Sequence, residues 1–275
     1  MSENAKPVLP EMGSLWKETL NWQPDAGHLL EFQSIYELIL EGNQQMNLTR
    51  ITEPQEFWEK HLWDSLRGVA PLLESPMVGT NPPATSGEEE SSARESGGVE
   101  ELEVIDLGTG AGFPGLPIAI ARPEWTVTLL DSTRKKLAFL DRAIDTMGME
   151  NVRTLTARAE EIGQQSQHRE AYDIAVARAL APPPVCAEYA LPLLKIGGVA
   201  VLYRGRWTDE ESDELSATVE QLGGILDFIE RFKTPLTGSI RTCVYLRKIA
   251  PTPAEFPRSV GVPREKPLSR NRAAR

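Results

Sequence analysis

Hydrophobic and polar positions follow two different rhythms along this chain. From Leu15 to Arg67 the apolar residues recur at helical spacing, with Leu29, Phe32, Ile35, Tyr36 and Ile39 on one broad face and Phe57, Trp58, His61, Leu62 and Leu66 on another. Thr52 stands before Pro54 as a candidate helix cap. From residue 101 onward, short apolar runs replace this pattern: Val104-Ile105, Trp125 to Leu130, Val152 to Ala157, Ala171 to Ala177 and Val199 to Tyr203. Helical stretches separate them, one after Ser132 or Thr133 with Leu137, Phe139, Leu140 and Ile144 on its apolar face, another from Cys186 to Leu194. Lys195 to Gly198 reads as a turn into the fifth run. Such alternation predicts an α/β fold with a doubly wound parallel sheet. Residues 224–231 and 239–248 read as two further strands, an antiparallel pair closing that sheet.

Between the two rhythms, residues 76–100 carry almost no large apolar side chains. A segment of this kind cannot bury enough surface to offset the entropy of ordering it, so it reads as a disordered acidic insertion. The chain thus divides into an N-terminal helical region (1–75), the insertion (76–100), a sheet core (101–250) and a basic C-terminal tail (251–275). Residues 1 to 13 are polar and Pro-rich, as a frayed end would be.

Length and charge narrow the picture. At 275 residues the chain can bury one large α/β core with a smaller addition. The net charge of −11 suggests no nucleic-acid binder, but the charge is uneven. Seven glutamates crowd Glu88 to Glu103, whereas Arg258, Arg264, Lys266, Arg270, Arg272 and Arg275 face Glu265 alone. A local basic patch is what phosphate contacts need. Two cysteines make no disulfide framework, and neither a signal segment nor an 18-residue apolar run is present, which predicts a soluble, cytoplasmic protein. The three histidines show no metal-ligand spacing, so no metal is expected.

The candidate chemistry lies at residues 104 to 117, V-I-D-L-G-T-G-A-G-F-P-G-L-P. A strand, a glycine turn and a helix start follow one another, and glycines suit a turn that needs positive φ or close approach of a ligand. Asp131 follows about 20 residues on, at the end of the second strand, where a carboxylate can hold ribose hydroxyls. Two registers fit. Gly110-x-Gly112-x-x-Gly115 matches a dinucleotide fingerprint, and Asp106-x-Gly108-x-Gly110-x-Gly112 matches the turn of class I S-adenosylmethionine-dependent methyltransferases. The second is favoured, since Asp106 follows the strand directly and can orient the turn or meet a cationic methionine moiety. His61, Asp64 and Ser65 share a helix face, but no nucleophile elbow accompanies them, and packing against the sheet core is the better reading.

The motifs D-L-G-T-G-A-G-F-P-G-L-P-I-A-I, T-L-L-D-S-T-R-K-K-L-A-F-L, A-R-A-E-E, A-R-A-L-A and L-P-L-L-K-I-G-G together resemble those of the RsmG (GidB) methyltransferases. N-L-T-R-I, H-L-W-D-S-L and F-P-R-S-V-G-V-P-R-E-K-P-L are similar to the family's flanking motifs. The resemblance covers most of residues 43 to 268 and implies transfer of a methyl group from S-adenosylmethionine to N7 of a guanine in small-subunit (16S) ribosomal RNA. It implies that Gly108 and Phe113 border the cofactor, with Asp106 and Gly110 in the same turn. Asp131, Ser132 and Thr133 would meet the ribose and adenine side, Ala159 and Glu160 the adenine edge, and Arg178 the site mouth near the methyl donor, as a catalytic residue orienting base or phosphate.

Candidate RNA contacts are Arg50, Lys60, Arg204, Arg206, Arg258, Arg264 and Lys266, because phosphates dominate such affinity. The RNA partner can be a ribosomal precursor. Alternatives are an NAD(P)-dependent oxidoreductase, a small-molecule methyltransferase, and a non-catalytic ribosome-binding module.

Overall fold

The computed structural model describes residues 7–74 and 101–268. The expected insertion at 76–100 and the arginines beyond Leu268 lie outside these residues. Helices come first: α1 (Gly13–Leu20), α2 (Ala26–Asn43), α3 (Pro54–Phe57), a π-helical stretch Trp58–Trp63, α4 (Asp64–Arg67) and α5 (Ala70–Glu74). Then β1 (Glu103–Leu107), α6 (Gly115–Ala121), β2 (Thr126–Asp131), α7 (Arg134–Met147), β3 (Val152–Thr156), α8 (Ala159–Ile162) and β4 (Tyr172–Arg178) alternate. The chain continues with α9 (Pro183–Ala190), β5 (Leu194–Arg204), α10 (Asp209–Gln221), β6 (Gly224–Lys233), β7 (Ile240–Lys248) and α11 (Val262–Glu265).

The strands form one seven-stranded sheet in the order β3-β2-β1-β4-β5-β7-β6. Pairs among β1 to β5 are parallel, and β7 is antiparallel to both β5 and β6. Strand order reverses between β1 and β4, and open sheets of this type hold their ligands outside the strand carboxyl ends at such a point. Alternate residues serve opposite faces, as the pleat requires. Val104 and Val127 join the cluster that contains α2, α6 and α7, while Ile105 and Leu130 join the one that contains α9 and α10.

The N-terminal helices do not build a separate core. Trp16, Phe32, Tyr36, Phe57 and Trp63 belong to the same buried cluster as Val176, Val201 and Tyr245 of the sheet. Polar groups lock the join. Tyr203 and Tyr245 donate to the carbonyls of Ser65 (2.6 Å) and Gly68 (2.9 Å). Glu59, fully buried, accepts from the Leu236 and Thr237 amides and the Thr237 hydroxyl at the β6–β7 turn.

Several boundaries differ from the sequence reading for local reasons. The cap before Pro54 is Glu53, not Thr52: its carboxylate accepts from the Glu56 amide at 2.8 Å. Thr133 occupies the cap position of α7 without a side-chain bond. Lys195 to Gly198 falls within β5 as a bulge: Leu194 pairs with Tyr172 and Val199 with Ile174, so the four residues between, with Gly197 at φ +90, oppose Asp173 alone. Residues 7 to 12 are held, not frayed: the Leu9 amide and the Pro7 carbonyl both bond Gln33. Helix α10 was not foreseen, although the Thr208/Glu211 capping box that starts it is visible in the sequence. No helix among the described residues is long and apolar enough to cross a membrane.

Candidate functional site

Beyond the carboxyl ends of β1 to β4 lies a crevice of about 250 Å³, walled by Gly108, Leu130, Asp131, Ser132, Lys136, Ala157, Arg158, Ala159, Glu160, Ala179, Leu180, Tyr189 and Arg264. The glycine turn forms its floor. The amides of Gly108 and Thr109 both donate to the Leu130 carbonyl (2.8 and 2.9 Å), folding the turn over the end of β2. Gly108 sits at φ +71, and a Cβ there would meet Leu180 at 2.5 Å, so both conformation and space require glycine.

Two carboxylates shape the turn in different ways. Asp106 is fully buried beneath it: Oδ2 accepts from the Thr109 hydroxyl (2.6 Å) and the Gly115 amide (2.9 Å), and Oδ1 has no partner among the described residues. Burial pushes its carboxyl up to about 6, against the pull of those two donors. Asp131 lies at the crevice wall, taking the Gly110 amide on Oδ2 (3.1 Å) and the Thr133 amide on Oδ1 (2.8 Å). Each oxygen keeps a second lone pair.

Across the crevice, Glu160 at the start of α8 is 3% exposed. Its Oε1 gathers the Tyr189 hydroxyl (3.0 Å), the Gly261 amide (3.1 Å) and an Arg158 guanidinium N–H (3.5 Å), leaving Oε2 unengaged. Burial and the adjacent Glu160 carboxylate push the Tyr189 phenol up to about 12.

The structure therefore brings Gly108, Asp131, Ser132, Ala159 and Glu160 together around one space, with Gly110 and Thr133 tied to Asp131 from behind. It does not bring Phe113 or Arg178 to that wall. Phe113 is buried and stacked on His61, ring centroids 4.3 Å apart, with Phe57 edge-on at 5.6 Å. Arg178 turns toward the helical region, where its guanidinium donates to the Lys60 carbonyl (2.9 Å), Asp64 Oδ2 (3.2 Å) and His61 Nδ1 (3.3 Å). A guanidinium can only donate, so His61 Nδ1 accepts and Nε2 carries the proton, which goes to the Thr49 hydroxyl at 2.8 Å. Burial, with Arg178 and Lys60 nearby, lowers the imidazole to about 3 and keeps it neutral.

His61, in the π-helical stretch, and Asp64, at the start of α4, both reach Arg178. His61 and Asp64 thus meet the sheet core, as their shared face suggested.

Sequence reasoning missed Lys136, Arg158, Leu180 and Tyr189 as wall residues. It placed Arg264 with the RNA contacts, whereas Arg264 lines the crevice and donates to the Leu180 carbonyl at 3.0 Å. Arg258 is also withdrawn from any RNA face: its Nε and Nη2 grip the fully buried Glu188 at 2.8 and 2.6 Å. Lys60 pairs with Glu56. Arg50, Arg206 and Lys266 are exposed. Arg204 and Arg206 join Arg178 and Arg241 around a second hollow of about 470 Å³, which shares Ala179 with the crevice.

Comparison with known proteins follows this geometry. The family described as rRNA small subunit methyltransferase G matches residues 29–77 and 92–240. A protein of Trichormus variabilis named ribosomal RNA small subunit methyltransferase G is 57% identical over 95% of this chain and 99% of its own. Proteins of the same name from Trichodesmium erythraeum and Gloeobacter violaceus are 53% and 46% identical, covering 98% and 94% of this chain and 98% and 93% of theirs. Among solved structures, a putative methyltransferase from Thermoplasma acidophilum aligns with 54% of this chain and 69% of its own, at 17% identity and a TM-score of 0.40. Identity over nearly the full length of such relatives, together with the match of the family model to both the helical region and the sheet core, places the chain in the ribosomal RNA small subunit methyltransferase G family.

Proposed function

We propose that the crevice seats S-adenosylmethionine and that the enzyme transfers its methyl group to N7 of a guanine in 16S ribosomal RNA, free or within a cytoplasmic ribosomal precursor. The observation that carries this reading is the pair of wall carboxylates, Asp131 and Glu160, each with acceptor capacity left over beside a glycine turn. The residues present fit that cofactor. Asp131 can accept both ribose hydroxyls while keeping its backbone bonds, and Glu160 Oε2 can accept the adenine amino group. When bound, S-adenosylmethionine supplies an electrophilic methyl carbon on a sulfonium.

The chain's own groups then have a limited task. Guanine N7 has a free lone pair, and no proton must leave before it attacks, so no general base is required. Holding nucleophile and methyl carbon in line is the main contribution. A cysteine adduct is disfavoured, because Cys186 and Cys243 are buried and burial pushes both thiols up. Arg178 acts as a positioning residue, fixing the end of β4 against the helices. Arg204, Arg206 and Arg241 at the second hollow, with Arg50 and Lys266, supply phosphate contacts to the RNA.

The test is to map N7-methylguanosine in 16S RNA from cells with and without the gene, then restore it with the purified protein and labelled S-adenosylmethionine. A site methylated only when the protein is present is the expected result. An unchanged map would end the reading. RNA affinity should also fall linearly with salt on logarithmic axes, and a flat response would count against an RNA substrate.

A further inference from the structure

The C-terminal segment reads in the sequence as a basic tail offering phosphate contacts, but between Thr252 and Leu268 it is bolted across the molecule. Arg169 donates to the carbonyls of Thr252 (2.6 Å) and Phe256 (2.7 Å), and Gln164 to that of Pro257 (2.8 Å). Arg258 is clamped by Glu188, and the Leu268 carbonyl accepts from Thr218 at 3.2 Å, with the Leu268 side chain buried. In its middle, the Gly261 amide bonds Glu160, and Arg264 reaches the crevice. The same segment therefore orients the acid on one wall and supplies a cation to another.

We propose that this segment is a built part of the cofactor site and that Arg264 is a cofactor-binding residue whose guanidinium covers the face of the adenine ring. The inference rests on the reading of the crevice as an S-adenosylmethionine site. One N–H of Arg264 is spent on the Leu180 carbonyl and the guanidinium also lies beside the Tyr189 phenol, which fixes the group at the rim while the residue stays exposed. An RNA phosphate in this space would lie against the Asp131 and Glu160 carboxylates even though Lys136 and Arg158 share the wall. A neutral heteroaromatic ring has no such conflict and gains from a guanidinium over its face. Glu160 Oε2 stands ready for the edge of the same ring, so edge and face would be read by two residues that the segment holds together.

The test is calorimetric titration of the full-length protein with S-adenosylhomocysteine and, separately, with adenosine. A 16S RNA fragment is titrated in parallel across a salt series. Arg264→Ala should weaken both nucleosides about tenfold and equally, with RNA affinity and salt slope unchanged and an unaltered urea melt of the free protein. Arg264→Lys keeps the charge without the planar face and should recover little of the loss. Three outcomes would overturn the assignment alone. One is unchanged nucleoside affinity with a salt slope reduced by about one, the mark of a lost phosphate contact. Another is weaker binding of S-adenosylhomocysteine but not of adenosine, which would move Arg264 to the amino-acid end. The third is full recovery in Arg264→Lys. A wild-type protein that binds neither nucleoside would instead overturn the cofactor reading together with this one.

Discussion

The two sides of the β4 carboxyl end use similar residues for opposite purposes. On one side, Asp131 is bonded by two backbone amides and Glu160 by backbone and side chains, yet both keep acceptor capacity at the crevice. On the other, Arg178, Asp64 and His61 bond one another and Phe113 is stacked inside the same cluster, with Arg178 and Asp64 also bordering the second hollow. A polar group with unused capacity can bind; one whose capacity is consumed by the protein holds the fold together. Residue type and position at a strand end do not separate the two cases. The partner inventory does.

The largest effect that would test this contrast is at Arg178. Arg178→Ala leaves Asp64, with 10% of its side chain exposed, short of one of its two guanidiniums; Arg241 at 3.6 Å remains. Breaking a buried pair in this way costs about 3 kcal/mol. Urea unfolding should show that loss, while the affinity of the surviving folded protein for S-adenosylhomocysteine stays within about threefold. If affinity collapsed and stability did not, Arg178 would belong to the crevice after all. Asp131→Ala should show the reverse signature. It removes an ionised acceptor of two ribose hydroxyls and should weaken the same ligand about 100-fold, with a smaller loss of stability because the Gly110 and Thr133 amides can turn to water.

A pH series sharpens the comparison on the structural side. The folded state holds His61 neutral down to about 3, against an ordinary 6.5, so below pH 6.5 the unfolded chain takes up a proton that the folded chain refuses. Stability from this group therefore rises with pH between these values and is fully present above 6.5. Asp106 runs the other way: its carboxyl is raised to about 6, so the folded state binds the extra proton and gains stability as pH falls through that value. A difference measurement isolates the imidazole. Between pH 7.5 and 5.5, wild type should lose about 1.4 kcal/mol relative to His61→Gln. Parallel curves would mean that His61 titrates normally and that the Arg178 cluster is wet.

What the sequence disclosed follows the same division. The glycine turn, Asp131 and Glu160 lie at the ends of apolar runs whose period is visible, and a parallel sheet brings the ends of adjacent strands together without further information. The Arg178 cluster depends on contacts between residues more than 110 positions apart, which no local pattern encodes. Arg258 and Arg264 took places the sequence did not show for a related reason. A cluster of basic letters near a terminus signals charge, but only the fold shows that Glu188 waits for one and the crevice for the other. Phe113 was drawn toward the cofactor by its place in the glycine turn, yet the ring points to His61 because that is the apolar side of the turn.

The smallest predicted effect concerns how firmly the crevice acid is held. Tyr189→Phe removes one donor to Glu160 Oε1 and the phenol oxygen beside Arg264, while the ring, 2% exposed, keeps its packing. The Gly261 amide and Arg158 still restrain the same oxygen. With the restraint spread over three donors, the loss of one should cost about 1 kcal/mol at most, seen as a roughly threefold to fivefold weaker affinity for S-adenosylhomocysteine. An effect beyond about 50-fold would place the phenol itself on the ligand. No effect at all would assign the orientation of Glu160 to the C-terminal segment alone, so that in Tyr189→Phe background the Gly261 amide and Arg158 would suffice to aim Oε2 into the crevice.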